Sequence, residues 1–186
     1  VIDRRIVSTG SMNPTGNDGH LNNNNLLIIH SPLLAQNYEQ EFAELQNGTF
    51  KKGRPVTAPS IIIGESKIKN YFCPEDGCAY HIKQELKKAQ HSISFMTFSF
   101  THDGIGNELL LKHLDNITIR GVMEKRQIEK ESEYHRLLNS GIALRKDGNH
   151  RTMHHKVFII DRETVITGSM NPTTNGDLRN DENILI

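Results

Sequence analysis

Residues 152–186 read TMHHKVFIIDRETVITGSMNPTTNGDLRNDENILI, and the rest of the chain is best interpreted outward from this stretch. KVFIID and TVITGS are rich in β-branched and apolar residues and are separated by a tight turn, which predicts a β-hairpin. Residues i and i+2 of a strand point to the same face, so His154 and Lys156 should project together. Ser169 and Asn171 should do the same beyond the second strand, at the same end of the hairpin.

These four side chains suit a phosphate group. Lysine supplies a point charge, asparagine a neutral donor and serine a hydroxyl. Histidine can act as a nucleophile or as a proton carrier. His155 lies one residue further along the strand, so it should face away from the site.

The chain begins with a second version of the same stretch. When Gly10 is aligned with Gly168, residues 1–28 lie over residues 159–186, and 16 of the 28 positions are identical. A match of this quality indicates two copies of one structural unit. The counterparts of His154 and Lys156 would precede the first residue, so we expect the chain to start inside an earlier unit.

The repeat divides the chain into three parts. Residues 1–46 are interpreted as the tail of a preceding unit, residues 47–60 as a linker and residues 61–186 as one nearly complete domain. The tail should end in a helix over residues 31–45. Its signals are Ser31 as N-cap, Pro32 at N1, and Leu34, Tyr38 and Phe42 on one apolar face.

Within the third part, helices and strands alternate. We predict helices over 81–90, 104–114 and 129–141, and strands over 92–100, 117–123, 142–146 and the hairpin. Gly141 should end the third helix. This alternation predicts an α/β fold, with a mixed β-sheet flanked by helices on both faces.

Composition sets wide limits. The chain has 22 Lys+Arg, 22 Asp+Glu and a formal net charge of zero, so overall charge does not predict a polyanionic partner. Basic residues do cluster between 120 and 151, but acidic residues are mixed among them. Cys73 and Cys78 could form a disulfide, and two cysteines alone do not define a redox compartment. No acidic metal-binding cluster is visible around the hairpin, so no metal or other cofactor is expected. Localisation is not predicted.

The motif as a whole resembles a known family. His154-His155-Lys156, four further residues, Asp161 and then Gly168-Ser169-Met170-Asn171 match the H-x-K-x4-D and G-S-x-N pattern of the phospholipase D superfamily, the HKD phosphodiesterases. The resemblance continues through residues 71–101, which look like the opening strand, helix and strand of such a unit. It implies a phospholipase D-like fold.

The resemblance also implies a mechanism and residue roles. His154 would attack phosphorus and form a phosphohistidine, Lys156 and Asn171 would stabilise charge on the phosphoryl oxygens, and a second histidine from another copy would protonate the leaving oxygen. Metal is not required in this scheme. Supporting roles are expected for a further group of residues. Ser169 lies in the same loop, Glu182 could orient the imidazole, Ser11 and Asn13 would line the opposing half-site, and Gly168, Asp161 and its counterpart Asp3 would be structural.

Three functions remain open. The first is an HKD-type phosphodiesterase acting on nucleic acid, most simply an endonuclease. The second is a phospholipase D or phosphatidyltransferase acting on lipid, and the third is an inactive remnant that binds polyanions. Because the H-x-K and G-S-x-N phrase is complete only once, a homodimer or a missing N-terminal half is expected to complete the site. His102 follows a strand end, where ligands of α/β proteins often bind, and is a further candidate for substrate contact.

Overall fold

The computed structural model describes all 186 residues. The strands are β1 Ile6–Gly10, β2 Leu26–His30, β3 Ser60–Ile63, β4 Ser66–Cys73, β5 Ser92–Thr97, β6 Thr118–Met123, β7 Ala143–Lys146, β8 Lys156–Ile160, β9 Thr164–Gly168 and β10 Glu182–Leu185. The α-helices are α1 Gly16–His20, α2 Pro32–Gln46, α3 Cys78–Lys87, α4 Asp103–Leu114, α5 Glu133–Asn139 and α6 Thr174–Leu178. A short 3-10 helix covers Lys125–Gln127.

Eight strands form one mixed sheet in the order β3-β4-β10-β9-β8-β5-β6-β7. Strands β5, β6 and β7 pair in parallel, and the other neighbours pair antiparallel. The predicted hairpin is β8–β9, with Phe158 opposite Ile166 and Ile160 opposite Thr164. Strands β1 and β2 form a separate antiparallel pair.

Each face of the sheet carries a hydrophobic core. Ile184 belongs to a cluster of 23 buried residues that includes side chains of α3, α4 and α5. Its neighbour Leu185 belongs to a smaller cluster with Val7 of β1 and Leu34 of α2. Successive residues of a strand point to opposite faces, so the two clusters lie on opposite sides of the sheet. The α/β fold with helices on both faces is therefore confirmed.

The first 46 residues dock on the main sheet. Helix α2 begins as predicted, since the Ser31 side chain accepts a hydrogen bond from the Leu34 N–H and Pro32 occupies the first turn. Leu34 and Ala35 are fully buried, and the Tyr38 ring packs edge-on against Phe72 of β4. Phe42, predicted on the same face, is 61% exposed. The prediction fails there because α2 packs on the sheet only through its first two turns.

Other boundaries differ from the predicted ones for local reasons. The helix predicted over 129–141 begins at Glu133, because the Ser132 hydroxyl accepts the Tyr134 N–H as an N-cap. Gly141 follows its end with φ +92°, the left-handed conformation that favours glycine. Strand β5 ends at Thr97 rather than at residue 100. The predicted linker, residues 47–60, contains no helix, and only its last residue, Ser60, belongs to a strand, β3.

Cys73 and Cys78 form a disulfide with a Cα–Cα distance of 5.5 Å. None of the helices combines the length and the apolar character needed to cross a bilayer.

Candidate active site

Two glycines shape the site loops, one in each repeat. A Cβ on Gly168 would lie 2.2 Å from the carbonyl oxygen of Asn183, and that oxygen accepts the N–H groups of Ser169 (3.1 Å) and Met170 (3.3 Å). The first copy repeats this geometry, since a Cβ on Gly10 would lie 2.3 Å from the Asn25 oxygen. Glycine is needed at both positions because β9 and β1 must approach the following strand this closely.

His154 lies two residues before β8 and is half-buried. Its Nδ1 is 2.7 Å from the backbone carbonyl oxygen of Ser11, and its ring packs edge-on against Phe98. A carbonyl oxygen only accepts hydrogen bonds, so Nδ1 must carry the proton and Nε2 of the neutral ring holds the lone pair. Burial lowers the pKa of His154, the Lys156 cation lowers it further, and the Ser11 carbonyl opposes this shift.

Lys156 is the first residue of β8 and is only 5% exposed. Its Nζ donates to the carbonyl oxygen of His154 at 2.9 Å and lies 5.1 Å from the centroid of the Phe98 ring. Burial lowers the pKa of Lys156 from 10.5 to about 7, although the carboxylates of Glu182 and Asp18 act in the opposite direction. His154 and Lys156 therefore lie together, as the strand periodicity predicted.

The G-S-x-N loop lies at the same end of the sheet, because Gly168 ends the antiparallel partner of β8. The Ser169 hydroxyl donates to the Glu182 carboxylate and accepts the Asn183 N–H at 3.0 Å. Burial raises the pKa of Glu182, and this serine hydrogen bond opposes the shift. The carboxamide oxygen of Asn171 is buried without a hydrogen-bond partner. Such an atom costs about 1–3 kcal/mol, which a bound polar group would offset.

One of the supporting residues, Glu182, differs from its predicted role. Glu182 does not contact the His154 imidazole, whose Nδ1 is already occupied by the Ser11 carbonyl from the other repeat. Asn13 is exposed and uses its backbone N–H to bind Asp18. Ser11, in contrast, is buried and reaches His154 directly, through its backbone.

The acidic residues of the two turns also differ from each other. The Asp161 carboxylate accepts the backbone N–H groups of Gln90, His91 and Ser92, each at 2.8 Å. Burial raises the pKa of Asp161, but these hydrogen bonds outweigh it and hold the pKa below its ordinary value. Asp161 thus anchors the loop before β5 as well as occupying its own turn. Asp3 has the same positive φ, but its side chain is exposed.

The remaining histidines have other roles. His155 lies with Met96 on the face of the sheet opposite to Lys156, which pairs with Thr97, and its Nδ1 lies 3.2 Å from the Asn25 side-chain oxygen. His102 caps α4, since its Nδ1 accepts the Ile105 N–H at 3.3 Å, and its Nε2 lies 3.5 Å from Asp177. These contacts indicate a structural role for His102 rather than the substrate contact considered for it.

His81-Ile82-Lys83 also fits the letters H-x-K, but no G-S-x-N follows it at the motif spacing. It lies in α3, where residues i and i+2 do not share a face.

The asparagine run at 22–25 contributes to the site, although the motif does not include it. The carbonyl oxygen of Asn23 accepts the His154 N–H at 2.7 Å, and the side-chain oxygen of Asn22 accepts the Thr152 N–H at 3.1 Å. This run therefore holds the backbone that carries His154. Nothing in the local sequence signals it, because its partners are about 130 residues away.

Three carboxylates, those of Glu41, Glu44 and Glu75, lie within 4.8 Å of one another on α2 and the loop before α3. Burial and the neighbouring Glu75 raise the pKa of Glu41 to about 8. None of the three belongs to the H-x-K and G-S-x-N site.

The two repeats contact each other reciprocally. The Thr9 hydroxyl donates to the Asn183 side-chain oxygen at 2.9 Å, and the Asn25 side-chain amide donates to the Thr167 hydroxyl at 3.0 Å. Thr9 is the counterpart of Thr167, and Asn25 is the counterpart of Asn183. The same two positions of the repeat, a threonine and an asparagine, are therefore hydrogen-bonded to each other in both directions between the repeats. This is the pattern expected when the two repeats are related by a two-fold axis. The site lies where these two related halves meet.

This fold and site define an α/β protein in which one H-x-K phrase and two G-S-x-N loops, 10–13 and 168–171, lie where two related repeats meet. The profile of the family described as cardiolipin synthase, PLD-like domain, matches residues 1–46 and 82–186. The chain therefore belongs to the phospholipase D-like family.

Individual relatives agree with this assignment. The chain is 32% identical over 122 residues to a phospholipase D of Rickettsia felis, covering 65% of this chain and 61% of the relative. It is 30% identical over 136 residues to a mitochondrial cardiolipin hydrolase of Xenopus laevis, covering 71% of this chain and 64% of the relative. The chain thus spans about three fifths of the length of the curated relatives it matches.

Two solved structures are similar to the fold. Nuc from Salmonella typhimurium, described as a phospholipase D family member, aligns with a TM-score of 0.60 and 30% identity over 63% of this chain and 80% of that one. A phosphatidylserine synthase from Haemophilus influenzae aligns with a TM-score of 0.72 over 98% of this chain and 55% of that one. At 9% identity the second likeness concerns the fold alone, but it extends over both repeats.

Proposed function

We propose that this chain carries one half of a two-histidine phosphodiesterase site in which Nε2 of His154 is the nucleophile. The observation that supports this most directly is the 2.7 Å contact between Nδ1 and the Ser11 carbonyl oxygen, which leaves the Nε2 lone pair free. Because the pKa of His154 is lowered by burial and by Lys156, the ring is neutral near pH 7, as a nucleophile must be.

In the proposed reaction, Nε2 of His154 forms a bond to phosphorus while the bond to the leaving oxygen breaks. A second histidine gives its proton to that oxygen, then takes a proton from water, and the resulting hydroxide displaces His154. Lys156 and the Asn171 amide bind the phosphoryl oxygens. An anionic phosphodiester would raise the pKa of Lys156 from its value near 7, so substrate binding itself favours the charged lysine. No step requires a metal ion.

The two-fold arrangement indicates where the second histidine would lie. The counterpart of the Ser11 carbonyl group is the Ser169 carbonyl group. The hydroxyl of Ser169 is hydrogen-bonded to the Glu182 carboxylate. A histidine held there would face His154 across the phosphate, with Glu182 near its ring. We infer that this histidine comes from a second copy of the chain or from further residues of a longer protein, since the phrase is complete only once here.

Nucleic acid is the substrate class we propose. Arg126 donates to the carbonyl oxygen of His150 and to the Thr152 hydroxyl, so its guanidinium borders the loop that leads to His154. Lys125, Lys146 and Arg151 are also exposed at this edge. A cluster of cations at the mouth of the site is suited to the phosphates that flank a scissile phosphodiester.

A phospholipid is the second candidate, favoured by a different observation. An open trough of about 760 Å³ lies on the face of the sheet formed by β5, β6, β7 and β8. It is lined by apolar side chains that include Met96, Val122 and Ile159. The names of the relatives, phospholipase D and cardiolipin hydrolase, point in the same direction. An inactive polyanion-binding protein is the outcome if neither substrate is turned over even when two copies of the site are present in a dimer.

The test compares three variants on bis-p-nitrophenyl phosphate, oligonucleotides and cardiolipin vesicles, with and without excess EDTA. His154→Ala and Lys156→Ala should each lower the rate by at least about a thousandfold. His155→Ala should lower it by less than about tenfold, because its ring lies on the other side of the strand.

A radiolabelled phosphodiester should leave label on wild-type protein after a rapid quench in alkali, and none on His154→Ala. Chelation that stops turnover, with recovery on adding one divalent metal, would contradict the phosphohistidine route. Equal loss in His155→Ala and His154→Ala would show that the wrong histidine has been assigned. Cleavage of vesicle lipid but not of oligonucleotides would replace the nuclease proposal by the lipid one.

A further inference from the structure

Asp18 is a buried carboxylate in the first repeat, only 6% exposed, on the short helix α1. One carboxylate oxygen accepts the Asn13 N–H at 2.6 Å, and the other accepts the side-chain amide of Asn22. The backbone carbonyl of Asp18 also accepts the side-chain amide of Asn24 at 2.8 Å. This one residue therefore joins the turn at 11–13 to the asparagine run at 22–25.

Both of the segments that Asp18 joins hold His154. The turn contributes the Ser11 carbonyl, which fixes the imidazole through Nδ1. The asparagine run contributes the Asn23 carbonyl, which accepts the His154 N–H at 2.7 Å. The ring and the backbone of His154 are thus held by two segments whose spacing depends on Asp18.

The second repeat has no carboxylate at the position equivalent to Asp18. Thr15 and Thr173 cap α1 and α6 in the same way, each accepting the N–H three residues later, and these N–H groups belong to Asp18 and Gly176. A Cβ on Gly176 would lie 2.3 Å from the Asn171 carbonyl oxygen, so a carboxylate does not fit there. The nearby Asp177 instead accepts the Ala79 N–H. Asp18 is therefore a departure from the repeat, in the half that contacts His154.

We propose that Asp18 is a positioning residue for His154, whose carboxylate ties together the two segments that hold the imidazole and its backbone. The proposal rests on the proposed role of His154 as the nucleophile. Asp18 also places a negative charge near the ring, together with Glu124 at the end of β6, against the cation of Lys156. The two carboxylates raise the pKa of His154, while burial and Lys156 lower it.

The test is nitrogen NMR of His154 in the 186-residue chain, which requires no turnover. Wild-type protein should show a ring protonated at Nδ1. Asp18→Ala should give a mixture of the Nδ1-protonated and the Nε2-protonated tautomers of His154. Where the enzyme turns over, this variant should also lower kcat by about tenfold or more with little change in KM.

Asp18→Asn keeps the shape of the side chain but removes its charge. It should lower the pKa of His154, so the ring loses its second proton at a lower pH than in wild type. This variant keeps the test decisive if Asp18→Ala does not fold.

Asp177→Asn is the matched control, because Asp177 has similar burial, 8% against 6%, on the counterpart helix but no contact with the His154 loop. It should leave both the tautomer and the pKa of His154 as in wild type. An unchanged His154 spectrum in folded Asp18→Ala, or an unchanged His154 pKa in Asp18→Asn, would overturn the positioning role. A shifted spectrum in a chain that turns over no phosphodiester even as a dimer, where two copies of His154 are present, would instead leave the positioning intact and count against the proposed function.

Discussion

Lys156 is a cation whose proposed role needs a positive charge, but its burial disfavours that charge. The proposed phosphate-binding role needs a cation close to His154, but the fold places Lys156 at 5% exposure, in contact with a carbonyl group and the Phe98 ring. Desolvation of an ammonium group is costly, and the pKa of about 7 expresses that cost. The side chain is therefore maintained at the expense of stability.

Lys156→Met should make this cost measurable. We expect the variant to be more stable than wild type by about 1–3 kcal/mol at pH 6, because folding no longer buries a charge. The folded-state pKa near 7 lies below the unfolded value near 10.5, so unfolded wild-type protein binds more protons between these values. Wild-type stability should then rise with pH across this window.

The gain of Lys156→Met over wild type should accordingly shrink between pH 6 and pH 9. Urea unfolding of both proteins at the two pH values measures the difference. The same gain at both values would show that Lys156 does not titrate in this window.

At the level of elements, each repeat is a strand that ends in glycine, a connection that contains a short helix (α1 or α6), and a second strand that pairs with the first. The closure depends on the carbonyl oxygen of Asn183 or Asn25, which receives two N–H groups from the loop. Gly168 and Gly10 have φ of +156° and +143° and leave no room for a side chain. The same backbone conformation thus occurs in both repeats, and it positions Ser169 in one and Ser11 in the other.

Gly168→Ala should destabilise the protein by about 2–4 kcal/mol, because the new Cβ would lie 2.2 Å from a backbone oxygen. Gly10→Ala should have a similar effect. Gly16→Ala is the control, since Gly16 has no atom within 4 Å of an added Cβ and should change stability by no more than about 1 kcal/mol. Urea midpoints of the three variants give the comparison. A tolerated Gly168→Ala would mean that β9 does not approach β10 this closely.

At the scale of the whole molecule, the reciprocal contacts of Thr9 with Asn183 and of Asn25 with Thr167 place the repeats around a two-fold axis. An in-line displacement needs a nucleophile and a proton donor on opposite sides of phosphorus. Only one complete phrase is present in these residues, so the proposed chemistry depends on a second one from elsewhere.

If a second copy supplies that histidine, activity per chain should fall as the protein is diluted below its dimer dissociation constant. Light scattering and bis-p-nitrophenyl phosphate hydrolysis over the same dilution series test this. A monomer whose specific activity does not change with concentration would rule out the two-histidine account for this chain. An inactive monomer would favour a histidine from further residues of a longer protein.

The sequence by itself determined what depends on short-range patterns and on the repeat. Periodicity placed the β8–β9 hairpin and the shared side of His154 and Lys156. The repeat identified Ser11 as part of an opposing half-site. Tertiary structure alone decided which groups hold His154. Glu182 matched the expected spacing but binds Ser169. The asparagine run, in contrast, holds the His154 backbone from about 130 residues away, and Asp18 is hydrogen-bonded to that run. Hydrogen bonds between distant segments depend on how elements dock, and docking is set by the two cores of the sheet rather than by any local pattern.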